Sequence, residues 1–206
     1  RLTAILAEHP CGDRPETHAL LALMLLSGAR LSARIDAAGN MLLLADQDRS
    51  LWDRSMIQRG LFHLDRSAAG QHLSELHLQA GIAACHSVAP SYEATDWTRI
   101  LVLYDLLAGM DRSPVIALNR AVAVSKVRGP AAAIKEVESI QHRPSLRSYY
   151  LLFAVLAQFH LELRDFTRAR VLFQKALELT RSQTEQAFLL TRLKACDDDG
   201  TPRPRG

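Results

Sequence analysis

The sequence is poor in the residues that mark several protein classes. It has three cysteines, Cys11, Cys85 and Cys196, in 206 residues, and no CxxC pair. This excludes a disulfide framework and predicts a reducing, cytoplasmic compartment. Ten glycines and eight prolines are too few for a low-complexity chain. The longest apolar run, Ala19–Leu26, is far shorter than the ~20 residues of a membrane span, so we expect no membrane contact.

Charge of one sign and common catalytic motifs are also scarce. The net charge is only +3, from 25 Lys and Arg against 22 Asp and Glu, and the basic residues are not clustered as on a nucleic-acid-binding face. The sequence has no GxSxG nucleophile motif and no glycine-rich phosphate loop. Its eight histidines show no zinc-type spacing. We therefore predict no catalytic residue, no metal and no cofactor.

One acidic group leaves an enzyme as a weaker hypothesis. Asp46, Asp48 and Asp53, with Glu16, carry the oxygen ligands that an acidic metal site needs. The alternative is that these carboxylates cap helices and pair with neighbouring arginines. The two interpretations differ in whether the carboxylates converge in a pocket.

Helical periodicity dominates the chain and predicts an all-α fold. Apolar residues recur every three or four positions in segments of 10–18 residues, joined by short links that favour antiparallel neighbours. The helices after the first long apolar one are expected near 51–67, 72–88, 96–109, 114–126, 130–140, 145–163, 165–179 and 182–196. Residues 34–44 have turn chemistry at their centre, which fits either a short β-hairpin or an irregular loop.

These elements predict three parts. Residues 1–90 form an N-terminal helical subdomain with a loop or hairpin at 34–50, residues 91–196 form helical repeats, and 197–206 form a disordered tail. In Tyr150–Arg181 the large, small and aromatic residues follow the tetratricopeptide pattern. A partial match pairs the helix starting at Trp97 with the one starting at Pro114, and a weaker one pairs the latter with the helix starting at Pro130. We expect hairpins stacked as a tetratricopeptide-like superhelix, which binds peptides or proteins.

Two polar groups are candidate partner-binding sites. The first brackets the 34–44 stretch and comprises Arg30, Arg34, Gln47, Asp48, Arg49 and Trp52. Arg and Trp are frequent anchors of protein interfaces, but the same residues also suit a polar network that pins the loop to the first long helix. The second group, Asn119 and Arg120, interrupts an apolar helix and lies either on the inner face of the hairpin stack or towards solvent.

Several strings of the sequence point to one family. Leu20–Leu26, Gln47-Asp48-Arg49 and Asn119-Arg120-Ala121-Val122 occur in this order. Together with Pro15-Glu16 and Ala29-Arg30, they resemble the C-terminal extension of a group of bacterial extracytoplasmic-function RNA polymerase sigma factors. In that group a tetratricopeptide-like domain follows the two sigma regions. The resemblance covers residues 2–196.

The resemblance implies a regulatory domain that modulates transcription initiation. Its partners would be the sigma core regions of its own protein, RNA polymerase or a regulatory protein. The sigma regions that bind polymerase and DNA would precede Arg1, and the absence of an initial Met fits a domain cut from a longer protein. The chain itself would then contact DNA only through those missing regions. The alternative is a free-standing helical-repeat adaptor that acts outside transcription.

Overall fold

The computed structural model describes Thr3, Ile5, Ala7 and residues 9–37 and 39–200. The all-α prediction is confirmed for these residues. They contain the α-helices α1 (Pro15–Gly28), α2 (Arg54–Ser67), α3 (Glu75–Val88), α4 (Trp97–Met110), α5 (Pro114–Arg128), α6 (Pro130–Ile140), α7 (Tyr150–Glu162), α8 (Phe166–Leu179) and α9 (Gln183–Gly200). Three short 3-10 helices lie at Leu31–Ala33, Arg49–Leu51 and Pro144–Leu146.

Side-chain caps begin several of these helices. Carboxylate oxygens of Asp53, Asp96 and Asp165 accept hydrogen bonds of 2.9–3.1 Å from the backbone N–H three residues later. The Ser113 hydroxyl accepts one of 3.3 Å from the Val115 N–H, with Pro114 in the first helical turn. Each cap satisfies a backbone donor that the helix itself leaves unpaired. Ser113 is therefore the cap of α5.

Four predicted helix ends were wrong. Helix α2 begins at Arg54 rather than near Leu51, because a 3-10 turn and the Asp53 cap precede it. Helix α3 begins at Glu75 rather than His72, and the Ser74 N–H donates to His77 Nδ1 over 3.2 Å. A 3-10 turn also delays the start of α7. Helix α9 continues past Cys196 to Gly200, and the rest of the predicted tail, 201–206, lies outside the described residues.

The loop between α1 and α2 contains no β-hairpin in its described part. The Leu42 N–H donates to the Arg34 carbonyl over 2.8 Å, and Gly39 has a φ of +84°, which glycine adopts without strain. Ile35 and Met41 form isolated bridge positions rather than strands, residues 44–46 form a turn, and two 3-10 helices lie elsewhere in the loop. Of the two predicted alternatives the irregular loop is therefore correct, since two short strands alone would bury too little surface to be stable.

The chain divides into two compact units. The first contains residues 1–38 and 42–111, and the second contains 39–41 and 112–206. Within the first unit α1 packs against α2 and α3, and α4 packs against α3. The division thus falls after Asp111 rather than at residues 90 and 91, because α4 joins the N-terminal helices. The core of this unit is rich in alanine, and buried Trp52 is part of it.

In the second unit consecutive helices pack as hairpins. Helix α5 packs against α6, α7 against α8, and α8 against α9. Ala157, Ala169 and Ala176 are completely buried and Phe173 is 1% exposed, as the tetratricopeptide pattern predicts. Small residues let the helices approach closely, and Phe173 fills the space among the neighbouring apolar side chains. The buried side chains of the α7–α8 hairpin thus form part of the core of the second unit.

The partial repeat match was wrong in its pairing. Helix α4 belongs to the first unit, where it packs against α3, and α5 belongs to the second, where it packs against α6. The weaker match is the hairpin that forms, since Ala121 and Ala133 are both completely buried. None of the described helices has both the length and the apolar character required to cross a bilayer.

Candidate functional site

The structure separates the two predicted groups of site residues. The first group lies in the first unit, in the loop between α1 and α2. There, Arg30 and Arg34 flank one 3-10 helix, and Asp48 begins the other. The second group, Asn119 and Arg120, lies on α5 in the second unit. We therefore describe them as two sites.

Arg49 ties this loop to the end of α3. One guanidinium nitrogen, Nη1, donates hydrogen bonds of 2.8 Å to the backbone carbonyls of both His86 and Ala89. These carbonyls lie at the C-terminus of α3, where the helix leaves acceptors unpaired and its dipole favours a positive charge. Arg49 thus stabilises the junction of the loop with α3, whereas the polar-network interpretation placed the contact on the first long helix, α1.

Trp52 is the apolar centre of the same site. Its side chain is 3% exposed, and the guanidinium carbons of Arg49 and Arg30 lie 4.4 and 5.8 Å from its ring centroid. Both distances are within the range of cation–π attraction. Burial, followed by the charges of Arg34 and Arg49, lowers the pKa of Arg30. Like charges are therefore held close together around one indole ring.

His86 joins this group, and the sequence analysis did not identify it as a member. Its ring packs edge-on against Trp97, with the centroids 5.2 Å apart. Burial, with the charges of Arg30 and Arg49, lowers the pKa of His86 to about 4, so it is neutral at pH 7. We call Arg30, Arg49, Trp52 and His86 the cationic cluster. His86 lies 37 residues from Arg49, and no local pattern links the two.

The remaining residues of the first group have other roles. Asp48 is exposed, and its carboxylate accepts a 2.8 Å hydrogen bond from the Ser50 N–H. Hydrogen bonds from Ser50 lower the pKa of Asp48. Gln47 donates one long bond of 3.4 Å to the Leu42 carbonyl. Asp48 and Asp53 are thus caps, and the described residues contain no group of three acidic, His or Cys side chains suited to a metal ion.

Exposed side chains near the cluster form a mixed surface. Leu31, Ile35 and Leu51 are 55–60% exposed, and Arg34 is exposed beside them in sequence. The Ser32 hydroxyl donates to the Leu51 carbonyl over 2.7 Å, which holds the two 3-10 helices together. We call Leu31, Arg34, Ile35 and Leu51 the loop surface. Exposed apolar residues beside an arginine are typical of protein-binding surfaces.

The two residues of the second group, both on α5, lie in different environments. Arg120 forms an ion pair with Glu136 of α6 and so helps to join the two helices. Asn119 is exposed. Of these two residues, Asn119 is therefore the more accessible to solvent.

A further polar network in the first unit was not predicted. Nδ1 of buried His18 lies 2.8 Å from Nδ1 of His63, and its Nε2 lies 2.7 Å from an Asp13 oxygen. Arg66 donates to both Asp13 oxygens over 3.1 Å. The hydrogen bond from His18, followed by that from Arg66, lowers the pKa of Asp13. The network links α1 to α2, and its partners are too far apart in sequence to form a recognisable motif.

Comparison with known proteins finds one family model that is similar to the N-terminal part of the chain, including the loop. Residues 1–68 match a family of unknown function, DUF6596, and this segment includes the loop surface and most of the cationic cluster. The chain is 40% identical over 179 residues to an uncharacterized protein, R00370, of Rhizobium meliloti (strain 1021). That match covers 87% of this chain and 42% of the relative. No solved structure matches the chain.

Proposed function

We propose that this chain is a non-catalytic, protein-binding regulatory domain of an extracytoplasmic-function sigma factor. It modulates transcription initiation in the cytoplasm by contacting the sigma core, RNA polymerase or a regulatory protein. The observation that carries the proposal is the loop surface, where exposed Leu31, Ile35 and Leu51 adjoin Arg34. Part of the Gln47-Asp48-Arg49 string of the sigma-factor resemblance shapes the second 3-10 helix of this loop.

The packing beneath the loop supports this role. Arg49 anchors the loop to α3 through two hydrogen bonds, and Trp52 is buried in the core. The exposed leucines are therefore presented on a fixed backbone, which reduces the entropy lost when a partner binds. The interface would combine apolar contacts with one or more carboxylates opposite Arg34.

Binding to transcription components tests the proposal. The chain is immobilised and exposed separately to core RNA polymerase and to a polypeptide containing the two sigma regions, with affinity measured by biosensor and calorimetry. We expect one of them to bind, and we expect Leu31→Asp to weaken that binding at least about tenfold, because it places an unpaired charge in the interface. If a folded chain binds neither component, direct contact with the sigma core and with RNA polymerase is ruled out, and only a regulatory protein would remain as the partner.

The control variant is Val171→Asp. Val171 is as exposed as Leu31, at 60%, but it lies on α8 in the second unit. It should leave the affinity unchanged. The alternative function, a free-standing adaptor, is favoured by the α7–α8 hairpin, whose buried positions match the tetratricopeptide pattern without reference to transcription. Loss of binding in Val171→Asp but not in Leu31→Asp would place the contact on the second unit rather than on the loop surface.

A further inference from the structure

Unpartnered polar atoms are concentrated in and beside the cationic cluster. Six buried side-chain nitrogen or oxygen atoms in the described part of the chain have no hydrogen-bond partner. Four of them belong to the cluster, and a fifth belongs to Gln47, two residues before Arg49. In native proteins about 90% or more of buried polar groups are paired. These atoms are Arg30 Nε, Arg49 Nη2, Trp52 Nε1, His86 Nδ1 and Gln47 Oε1.

Most of these atoms require an acceptor. The two guanidinium nitrogens and the indole nitrogen carry hydrogens and can only donate, and His86 Nδ1 donates in one of its neutral tautomers and whenever the ring is protonated. Buried unpaired donor atoms of Arg30 and Arg49 thus lie on side chains next to the Trp52 ring, whose own N–H is the third such donor. The group that would satisfy them is a compact acceptor with more than one oxygen.

The charges of the site point to an anion. Arg30, Arg34 and Arg49 have no carboxylate within 4.0 Å among the described residues. Glu93 acts on Arg49 only through its field, and burial, which lowers the pKa of Arg49, is the larger effect. Keeping several guanidinium groups together without an ion-paired carboxylate costs free energy, and a bound anion would offset this cost.

We propose that the cationic cluster binds a compact oxyanion, either a carboxylate or a phosphate. Arg30 Nε and Arg49 Nη2 are one unpaired donor on each guanidinium group, and together they can bond to the oxygens of such a group. The Trp52 indole N–H supplies a neutral donor from the apolar side. Exposed Arg34 attracts the anion from solvent.

Both tryptophans of the chain report on this site. Trp52 lies beside the arginines, and Trp97 packs against His86. The positive charges of Arg30 and Arg49 help to lower the pKa of His86. A bound anion would oppose the electrostatic field of these charges. Ligand binding should therefore change the tryptophan fluorescence and raise the pKa of His86, and the second effect can be followed by NMR.

The experiment titrates the whole chain with three probes at constant ionic strength, with sodium chloride as the balancing salt. The probes are inorganic phosphate, acetate and a blocked peptide with one Glu, compared with its Gln counterpart. We expect a saturable fluorescence change and a rise in the pKa of His86. Saturation by phosphate alone identifies a phosphate site. Saturation by acetate and by the Glu peptide, but not the Gln peptide, identifies a carboxylate site.

Two arginine variants complete the test. Arg30→Met keeps an apolar stem beside Trp52 but removes the charge, and should weaken binding at least about tenfold. Because the unpaired guanidinium is costly, this variant should also melt at a higher temperature than the wild type without ligand. Arg59→Met, at an exposed position of α2, should change neither property. The proposal is wrong if no probe saturates, or if Arg30→Met binds as tightly as the wild type.

Discussion

The Arg49 guanidinium donates a 2.8 Å hydrogen bond to the carbonyl of His86, while its charge helps to lower the pKa of the same residue. One side chain therefore both anchors the end of α3 and keeps the neighbouring imidazole neutral. The stability of the first unit and its response to pH depend on this pair. The first two predictions test these effects separately.

The first prediction concerns the anchor. Arg49→Ala removes the hydrogen bonds to the His86 and Ala89 carbonyls and the stacking on Trp52. We expect the free energy of unfolding to fall by about 2 kcal/mol, the usual value for hydrogen bonds from a charged group. Relief of the repulsion from Arg30 offsets part of this loss. Urea unfolding followed by circular dichroism measures the change.

Arg49→Lys is the matched control for this anchor. Lysine keeps the positive charge but lacks the planar fork, so it should recover only part of the lost stability. Equal stability of the Ala variant and the wild type would mean that the junction between the loop and α3 does not depend on this side chain.

The second prediction concerns acid. The folded pKa of His86 is about 4 against 6.5 for the unfolded group, so between these values the unfolded chain binds more protons. The free energy of unfolding therefore falls as the pH falls from about 6.5 to 4, and this contribution is constant above and below that window. The shift corresponds to about 3 kcal/mol.

His86→Gln isolates this contribution, because glutamine does not titrate. Urea unfolding at several pH values, monitored by the fluorescence of Trp97 and Trp52, should give a shallower pH dependence for the variant than for the wild type. Identical slopes for the two proteins would show that His86 is not a source of acid sensitivity.

Helix starts and helix pairings could be predicted from the sequence only where the interactions that determine them are local. The caps Asp96 and Asp165 bond to N–H groups three residues away, and such spacing is visible in the sequence. The tetratricopeptide positions around Phe173 also follow a local period. The pairing of α4 was mispredicted because its apolar stripe fits a preceding or a following helix equally well, and only packing against α3 decides between them.

The candidate site shows the same limit. The sequence predicted that Arg30, Arg49 and Trp52 belong to one site, because they lie on either side of one loop. His86 was missed because it reaches the cluster only through the fold. Within the loop, Arg49 and Trp52 have structural contacts, while Leu31 and Arg34 remain exposed. Burial, which separates these roles, is a property of the packed chain.

The third prediction concerns the core of the second unit. Phe173 is 1% exposed and packs among apolar side chains of the α7, α8 and α9 cluster. Phe173→Ala should lower the free energy of unfolding by about 3–5 kcal/mol through lost burial and the cavity left behind. Val171→Ala, at a position 60% exposed on the same helix, should change it by less than about 0.5 kcal/mol. Urea unfolding of both variants compares them, and similar small losses would place the core elsewhere.

The fourth prediction concerns the close approach of α1 and α2. A Cβ atom added at Gly60 would lie 2.7 Å from Cγ of completely buried Leu26 and 2.9 Å from its Cδ2. Alanine normally stabilises a helix relative to glycine by up to about 1 kcal/mol. Here the overpacking, which costs about 1–3 kcal/mol, should outweigh that gain. We therefore expect Gly60→Ala to lower the melting temperature.

Gly109→Ala provides the contrast for this test, because nothing lies within 4 Å of a Cβ atom at that position of α4. It should leave the melting temperature unchanged or raise it slightly, since only the helix preference acts. Thermal unfolding of both variants and the wild type separates the two effects. If Gly60→Ala also raised the melting temperature, the side chain of Leu26 would have room to move, and the contact between α1 and α2 would not require glycine.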